Sequence, residues 1–166
     1  MDIPAMNIPA KDFYGAVLAA GAILTGFSGS FLQFRIQRES NYYRQPAVSY
    51  DEQKGRDVFI GLSHFSGSFF LIICAVVLEM IFGFCLPLLA LANAKLSATN
   101  PKTIVAGLIA ALIFLVGYFL AELVHYEILS VNLLNDRQEW GRQWPVVIAT
   151  FVVALLAAVS VYSALN

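Results

Sequence analysis

The sequence predicts an all-α integral membrane protein, a four-helix transmembrane bundle with short helical extensions on the cytoplasmic side. Of its 166 residues, 59% are hydrophobic and only 13% are charged. Soluble domains carry about 45–50% apolar and about 25% charged residues. This composition excludes an ordinary soluble globule, and it also excludes disorder, which requires low hydrophobicity and high charge. The formal net charge of -1 argues against a nucleic-acid partner, because phosphate binding needs a basic surface.

Stretches without charged residues locate the spans of this single transmembrane domain, since about 20 apolar residues at a rise of 1.5 Å cross a hydrocarbon core of about 30 Å. We predict spans at 13–34, 58–94, 103–125 and 144–165. The second stretch is too long for one straight crossing, so its register has two alternatives. A span over 58–78 would place Glu79 at the far interface, whereas a span over 66–92 would place it near the midplane.

Residue types typical of helix termini mark where the helices begin and bend. Asn100 followed by Pro101 predicts the start of the third helix, because asparagine caps and proline fits the first turn. Pro145 predicts the start of the fourth helix in the same way. Pro87 lies within the second helix, where its missing N–H predicts a kink near 83–84.

The distribution of Lys and Arg predicts the orientation in the membrane. Seven of the ten Lys and Arg residues lie in the segments 35–57 and 122–143. The positive-inside rule places these two segments in the cytoplasm and both termini outside. Helical extensions around 35–44 and 50–57 would then project into the cytoplasm. Without a transit peptide or a C-terminal retention signal, the bacterial inner (plasma) membrane is the expected location.

Small residues at four-residue spacing predict the faces through which the helices pack, because close backbone approach favours association in lipid. Each helix has such a row: Ala22, Gly26 and Ser30; Ser63 and Gly67; Gly107 and Ala111; and Ala154 and Ala158. In addition, the pentapeptide Phe-Ser-Gly-Ser-Phe occurs at 27–31 and again at 65–69. In an antiparallel hairpin both copies fall near one interface, so we expect them to face each other with their serines hydrogen-bonded. The alternative is coincidence in a chain rich in these residue types.

Ionisable residues inside spans are costly in lipid and are therefore candidates for function. At mid-membrane, Glu79 would need a partner or a proton, which suits a proton relay or a cation-coordinating carboxylate. In a shorter span it would be an ordinary interfacial carboxylate. Glu122 is the second candidate ion- or proton-carrying carboxylate. With His125 it forms a Glu-x-x-His step, which places both side chains on one helix face, as in di-iron carboxylate bundles.

No second Glu-x-x-His step exists to complete a di-iron site, so we predict no metal site. We expect Glu122 to meet headgroups and water where the third helix leaves the membrane. His64 and His125 are the two histidines of the chain, and two axial imidazoles from facing helices would hold haem b. The helical rise leaves these histidines about 10 Å apart in depth, so the alternative is a pair of surface histidines.

Sequence motifs for nucleotide binding, thiol exchange, zinc hydrolysis and serine hydrolysis are all absent. We therefore predict no catalytic residue and no enzymatic activity. The leading hypothesis is a non-catalytic structural or accessory subunit of a larger membrane protein complex, with the lipid bilayer and other membrane subunits as partners. The alternatives are a haem- or cofactor-binding redox subunit that uses His64 and His125, and an oligomeric proton or ion pathway that uses Glu79.

Overall fold

The computed structural model describes residues 10–44, 67–92, 100–131 and 136–165, with their side chains except those of 38–44, 124–131 and 136–143. These residues form four helices and, within the described ranges, no strand. The helices are α1 (Ala10–Arg44), α2 (Gly67–Leu91), α3 (Pro101–Val131) and α4 (Asp136–Ala164). The predicted all-α four-helix bundle is confirmed.

All four helices contain a stretch that is long and apolar enough to cross a membrane. These stretches are Ala10–Gln37, Gly67–Leu91, Pro101–Leu123 and Trp144–Ala164. Large apolar side chains cover the outer surface, including Ile23 and Leu155, which are 74% and 67% exposed. The chain is thus a multi-pass membrane protein by the length and composition of its helices, and its outer surface suits contact with lipid.

One of the two helix starts predicted from the sequence is confirmed, and the other is wrong. Asn100 caps α3 as predicted: its side-chain Oδ1 accepts the backbone N–H of Lys102 at 3.0 Å, and its carbonyl accepts the N–H of Ile104 at 3.2 Å. The predicted start of the fourth helix at Pro145 is wrong, because α4 begins at Asp136 and Pro145 lies inside it.

The helical extension predicted over 35–44 is observed, because α1 continues without a break to Arg44. The extension predicted over 50–57 lies outside the described residues. α1 is therefore longer than its predicted span at both ends, and its last turns stand beyond the apolar stretch.

Within α2, the segment Glu79–Cys85 is π-helical and separates the α-helical segments Gly67–Leu78 and Leu86–Leu91. The N–H of Leu86 donates to the carbonyl of Ile81, five residues earlier, instead of the residue four earlier. Pro87 follows directly and has no N–H to donate. The sequence predicts a kink near 83–84, and the structure has a widened π-helical turn there.

The hydrophobic core lies around α3, which packs along α4 and α2, whereas α1 packs mainly against the π-helical segment of α2. Buried apolar side chains from α2, α3 and α4 form one cluster: Leu71, Ile72, Ala75, Phe114, Leu115, Tyr118, Ala121, Val147 and Ala154. α3 is therefore the central helix. A residue near the end of α1 or α2 that faces into the bundle can contact α3.

The small-residue rows have different outcomes in the four helices. Gly107, Ala111 and Ala154 are buried in the bundle, and Gly67 is buried at the first position of α2. Ser63 lies outside the described residues. Ala158 is half-buried.

Gly26 and Ser30 lie on an exposed face of α1. A Cβ added at Gly26 would meet no described atom within 4 Å, and the Ser30 hydroxyl donates at 2.7 Å to the Gly26 carbonyl of its own helix. A packing role for these two residues stays a prediction that none of the described contacts supports. α1 packs through a different face, whose buried residues are Val17, Gly21, Ser28 and Arg35.

Candidate functional site

The buried face of α1 carries polar groups toward α2. Gly21, Ser28 and Arg35 are spaced seven residues apart, which is close to two helical turns, so they lie on one side of α1. Gly21 makes the closest contact between the two helices: a Cβ added there would lie 2.7 Å from the carbonyl oxygen of Gly83. Two glycines at the crossing allow the backbones to approach this closely, which brings the polar side chains on either side of the crossing within reach of α2.

The first polar group is the Glu79 site, formed by Glu79 and Ser28. Glu79 is completely buried and lies midway between the ends of the candidate span Gly67–Leu91. Its Oε1 accepts a hydrogen bond from the Ser28 hydroxyl at 2.8 Å. Its Oε2 is also buried and has no hydrogen-bond partner among the described residues. The span agrees with the midplane alternative of the sequence analysis, in which Glu79 lies far from either interface.

The second polar group is the Arg35 cluster, formed by Arg35, Ser68 and Glu122. Nη1 of Arg35 donates to the Ser68 hydroxyl at 2.5 Å and pairs with the Glu122 carboxylate. The guanidinium also lies 5.7 Å from the ring centroid of Phe69, within the range of a cation–π contact. The cluster joins α1, α2 and α3 at the end of the bundle where α1 continues beyond its apolar stretch.

Both charged residues of the Arg35 cluster are less exposed to solvent than the sequence predicts. The exposed fraction is 3% for Arg35 and 7% for Glu122. The expectation that Glu122 meets headgroups and water is therefore wrong, and Arg35, which opens the segment predicted to lie in the cytoplasm, is buried in the bundle. The physical reason is that α1 and α3 run parallel, so the two opposite charges lie at the same end of the bundle and compensate each other away from water.

The two copies of the Phe-Ser-Gly-Ser-Phe sequence do not face each other, as far as the described part of the second copy, 67–69, shows. Ser28 of the first copy bonds to Glu79, and Ser68 of the second bonds to Arg35. The register of the antiparallel pair α1–α2 places Ser28 opposite Glu79, eleven residues beyond Ser68. Each serine therefore supports an ionisable residue of the other helix.

Sequence reasoning missed Arg35 and Ser28 as members of these sites. The available signal was their spacing of seven residues, which places them on one helix face. A second signal was the pair of opposite charges, Arg35 and Glu122, near corresponding ends of two spans that cross the membrane in the same direction.

The histidine predictions are not tested by these contacts. His64 lies outside the described residues, and His125 lies in α3 at a position whose side chain is not described. The haem prediction therefore stays a prediction. In the described part of the chain, no group of three or more His, Cys, Asp or Glu side chains is placed to hold a metal ion.

Comparisons of the chain with protein-family models, with curated proteins and with solved structures give no match. The geometry of the Glu79 site and the Arg35 cluster is therefore the basis on which a function can be assigned.

Proposed function

We propose that this chain forms a proton or cation pathway across the membrane, in which Glu79 is the ion-binding carboxylate at mid-depth. One observation carries the proposal: Oε2 of Glu79 is buried in the middle of a membrane span and has no hydrogen-bond partner among the described residues. A buried polar atom without a partner costs about 1–3 kcal/mol, and a buried charge costs more. A bound proton or cation would neutralise the Glu79 carboxylate. Ion binding therefore explains why a carboxylate is buried there in spite of this cost.

Glu122 provides the comparison within the same chain. It is buried as well, but Arg35 compensates its charge and ties three helices together. That is what a structural carboxylate needs in a membrane bundle. Glu79 accepts only the Ser28 hydroxyl, a neutral donor, among the described side chains. The contrast favours an exchangeable ion at Glu79 over a purely structural role.

The backbone around Glu79 supports the same proposal. Glu79 is the first residue of the π-helical segment Glu79–Cys85, and π-helical turns frequently occur at functional sites. Interrupted helices near the midplane are also the usual place where transporters bind their ions. The irregular backbone and the partly unpartnered carboxylate thus coincide at one position of α2.

Four short helices seldom enclose a pore by themselves, so the proposed pathway is formed by an oligomer of this chain. The leading hypothesis of the sequence analysis, an accessory subunit of a membrane complex, is compatible with this proposal. The proposed setting is the bacterial inner membrane with both termini outside. The Arg35 cluster then lies at the cytoplasmic end of the pathway.

The test is ion flux through vesicles that contain the purified full-length chain. A potassium diffusion potential drives ions inward, an internal pH-sensitive dye reports protons, and radioactive sodium reports metal cations. Glu79→Gln keeps the shape of the side chain and an acceptor for Ser28, but it cannot bind a proton or a cation in the same way. Asp12→Asn is the matched control, because Asp12 is an exposed carboxylate in the first turn of α1.

We expect flux in the wild type and in Asp12→Asn, and its loss in Glu79→Gln at equal incorporation of protein. Flux in Glu79→Gln at the wild-type rate would overturn the proposal. So would wild-type vesicles that pass neither protons nor sodium faster than vesicles without protein.

A further inference from the structure

Two buried oxygen atoms have no hydrogen-bond partner among the described residues: Oγ1 of Thr25 on α1 and Oε2 of Glu79 on α2. Thr25 follows Gly21 by four residues and precedes Ser28 by three, so the three residues share one face of α1. Gly21 contacts Gly83, and Ser28 bonds to Glu79. Along α1, Thr25 therefore lies between two residues that contact the same turn of α2.

The oxygens suit a metal cation better than a proton. Oγ1 of Thr25 and Oε2 of Glu79 do not hydrogen-bond to each other, so a proton on the carboxylate would leave the threonine hydroxyl without a partner. A cation can lie between oxygens that are too far apart to hydrogen-bond. Carboxylate, carbonyl and hydroxyl oxygens are the ligands that hard cations prefer.

The charge at the site selects a monovalent cation. Glu79 contributes one negative charge, and the basic residue on the same face of α1, Arg35, is paired with Glu122. One positive charge therefore makes the site neutral, whereas a divalent cation would leave an uncompensated charge in a medium of low dielectric constant.

We infer that a sodium ion binds between α1 and α2, held by the carboxylate of Glu79 and the hydroxyls of Thr25 and Ser28. This inference depends on the proposed pathway for its biological meaning, because it names the ion that the pathway carries. It does not depend on the pathway for its test, because binding can be measured without transport.

The test measures thermal unfolding of the purified full-length chain in mild detergent, in sodium chloride and in choline chloride at equal ionic strength. Sodium is expected to raise the unfolding temperature in a saturable manner, because a ligand that binds the folded state stabilises it. Choline, a much larger monovalent cation, sets the baseline. An equal unfolding temperature in the two salts at every concentration would overturn the inference.

Variants locate the effect. Thr25→Val removes one ligand without changing the volume, and we expect a loss of sodium affinity of about 10-fold or more, since even outer-shell partners contribute about 10–100-fold to metal affinity. Thr25→Ser keeps the hydroxyl and should keep the response. Ser30→Ala is the control, because Ser30 is exposed and bonds within its own helix. Wild-type sodium affinity in Thr25→Val would contradict the assigned ligand set.

The failure of this inference and the failure of the proposed function give different results. Proton flux that depends on Glu79, without stabilisation by sodium, would overturn the sodium site and leave the pathway in place. Stabilisation by sodium that depends on Thr25, without any flux through vesicles, would support the site and overturn the pathway.

Discussion

Replacing Gly21 with alanine is expected to separate α1 from α2 and to destabilise the bundle. The added Cβ would lie 2.7 Å from the carbonyl oxygen and 2.8 Å from the Cα of Gly83. Ordinary van der Waals contact begins near 3.4 Å, so the Cβ is about 0.7 Å too close to the oxygen. The obstacle is backbone, so no flexible side chain can move aside. Overpacking of this kind costs about 1–3 kcal/mol of the free energy of unfolding.

Gly26→Ala is the matched control on the same helix. A Cβ added at Gly26 meets no described atom within 4 Å. Both substitutions gain the same helix propensity, about 0.8–1 kcal/mol, so the difference between the two variants isolates the contact with Gly83. We expect Gly21→Ala to unfold more easily than Gly26→Ala by about 1–3 kcal/mol.

The assay is reversible unfolding in mixed micelles with an increasing fraction of sodium dodecyl sulfate, followed by circular dichroism. Equal unfolding midpoints for the two variants would refute the close crossing at Gly21 and Gly83. A larger loss of stability in Gly26→Ala would show that α1 packs through the row of Gly26 and Ser30, as the spacing of small residues alone predicts.

Two further predictions concern the Arg35 cluster and the start of α3. Arg35→Met leaves Glu122 buried without a counter-charge and should destabilise the protein by about 3–5 kcal/mol in the same unfolding assay, whereas Arg35→Met combined with Glu122→Leu should recover much of that loss. Additive effects of the two substitutions would show that the residues are not coupled. Asn100→Ala removes the cap of α3 and should lower the free energy of unfolding by about 1 kcal/mol, whereas Asn100→Asp keeps an acceptor and should be close to the wild type. If Asn100→Ala unfolds at the same midpoint as the wild type, the cap contributes nothing to stability.

The parts of the fold that depend on local sequence were predictable. The spans follow from continuous apolar stretches, and the start of α3 follows from Asn100, whose capping bond reaches only two residues along the chain. The irregularity near Gly83 follows from the missing N–H of Pro87. The start of α4 was missed because proline fits a first turn and is also tolerated inside a helix of a membrane bundle.

Of the candidate site, Glu79 was predictable from the sequence. A carboxylate in a long apolar stretch is costly in lipid whichever residues lie beside it, so it can be identified without knowing the fold. The partners were not predictable, since they depend on how three helices are rotated and aligned with one another. Gly21 and Gly26 illustrate this limit: both are small residues on α1, and only the rotation of that helix against α2 decides which one packs.

The partners of Arg35 depend on the same non-local alignment. A basic residue at the end of a span normally extends toward the interface, where water solvates it. In this bundle, Ser68 of α2 and Glu122 of α3 lie at the same depth and hold the guanidinium inside.

The central claim is that Glu79 carries an ion across the bilayer, and the most direct measurement compares ion flux through vesicles containing the wild type and Glu79→Gln. We expect that the wild type passes ions and that Glu79→Gln, incorporated in equal amount and folded to the same helical content, does not. Equal flux in the two sets of vesicles would show that Glu79 does not carry the ion.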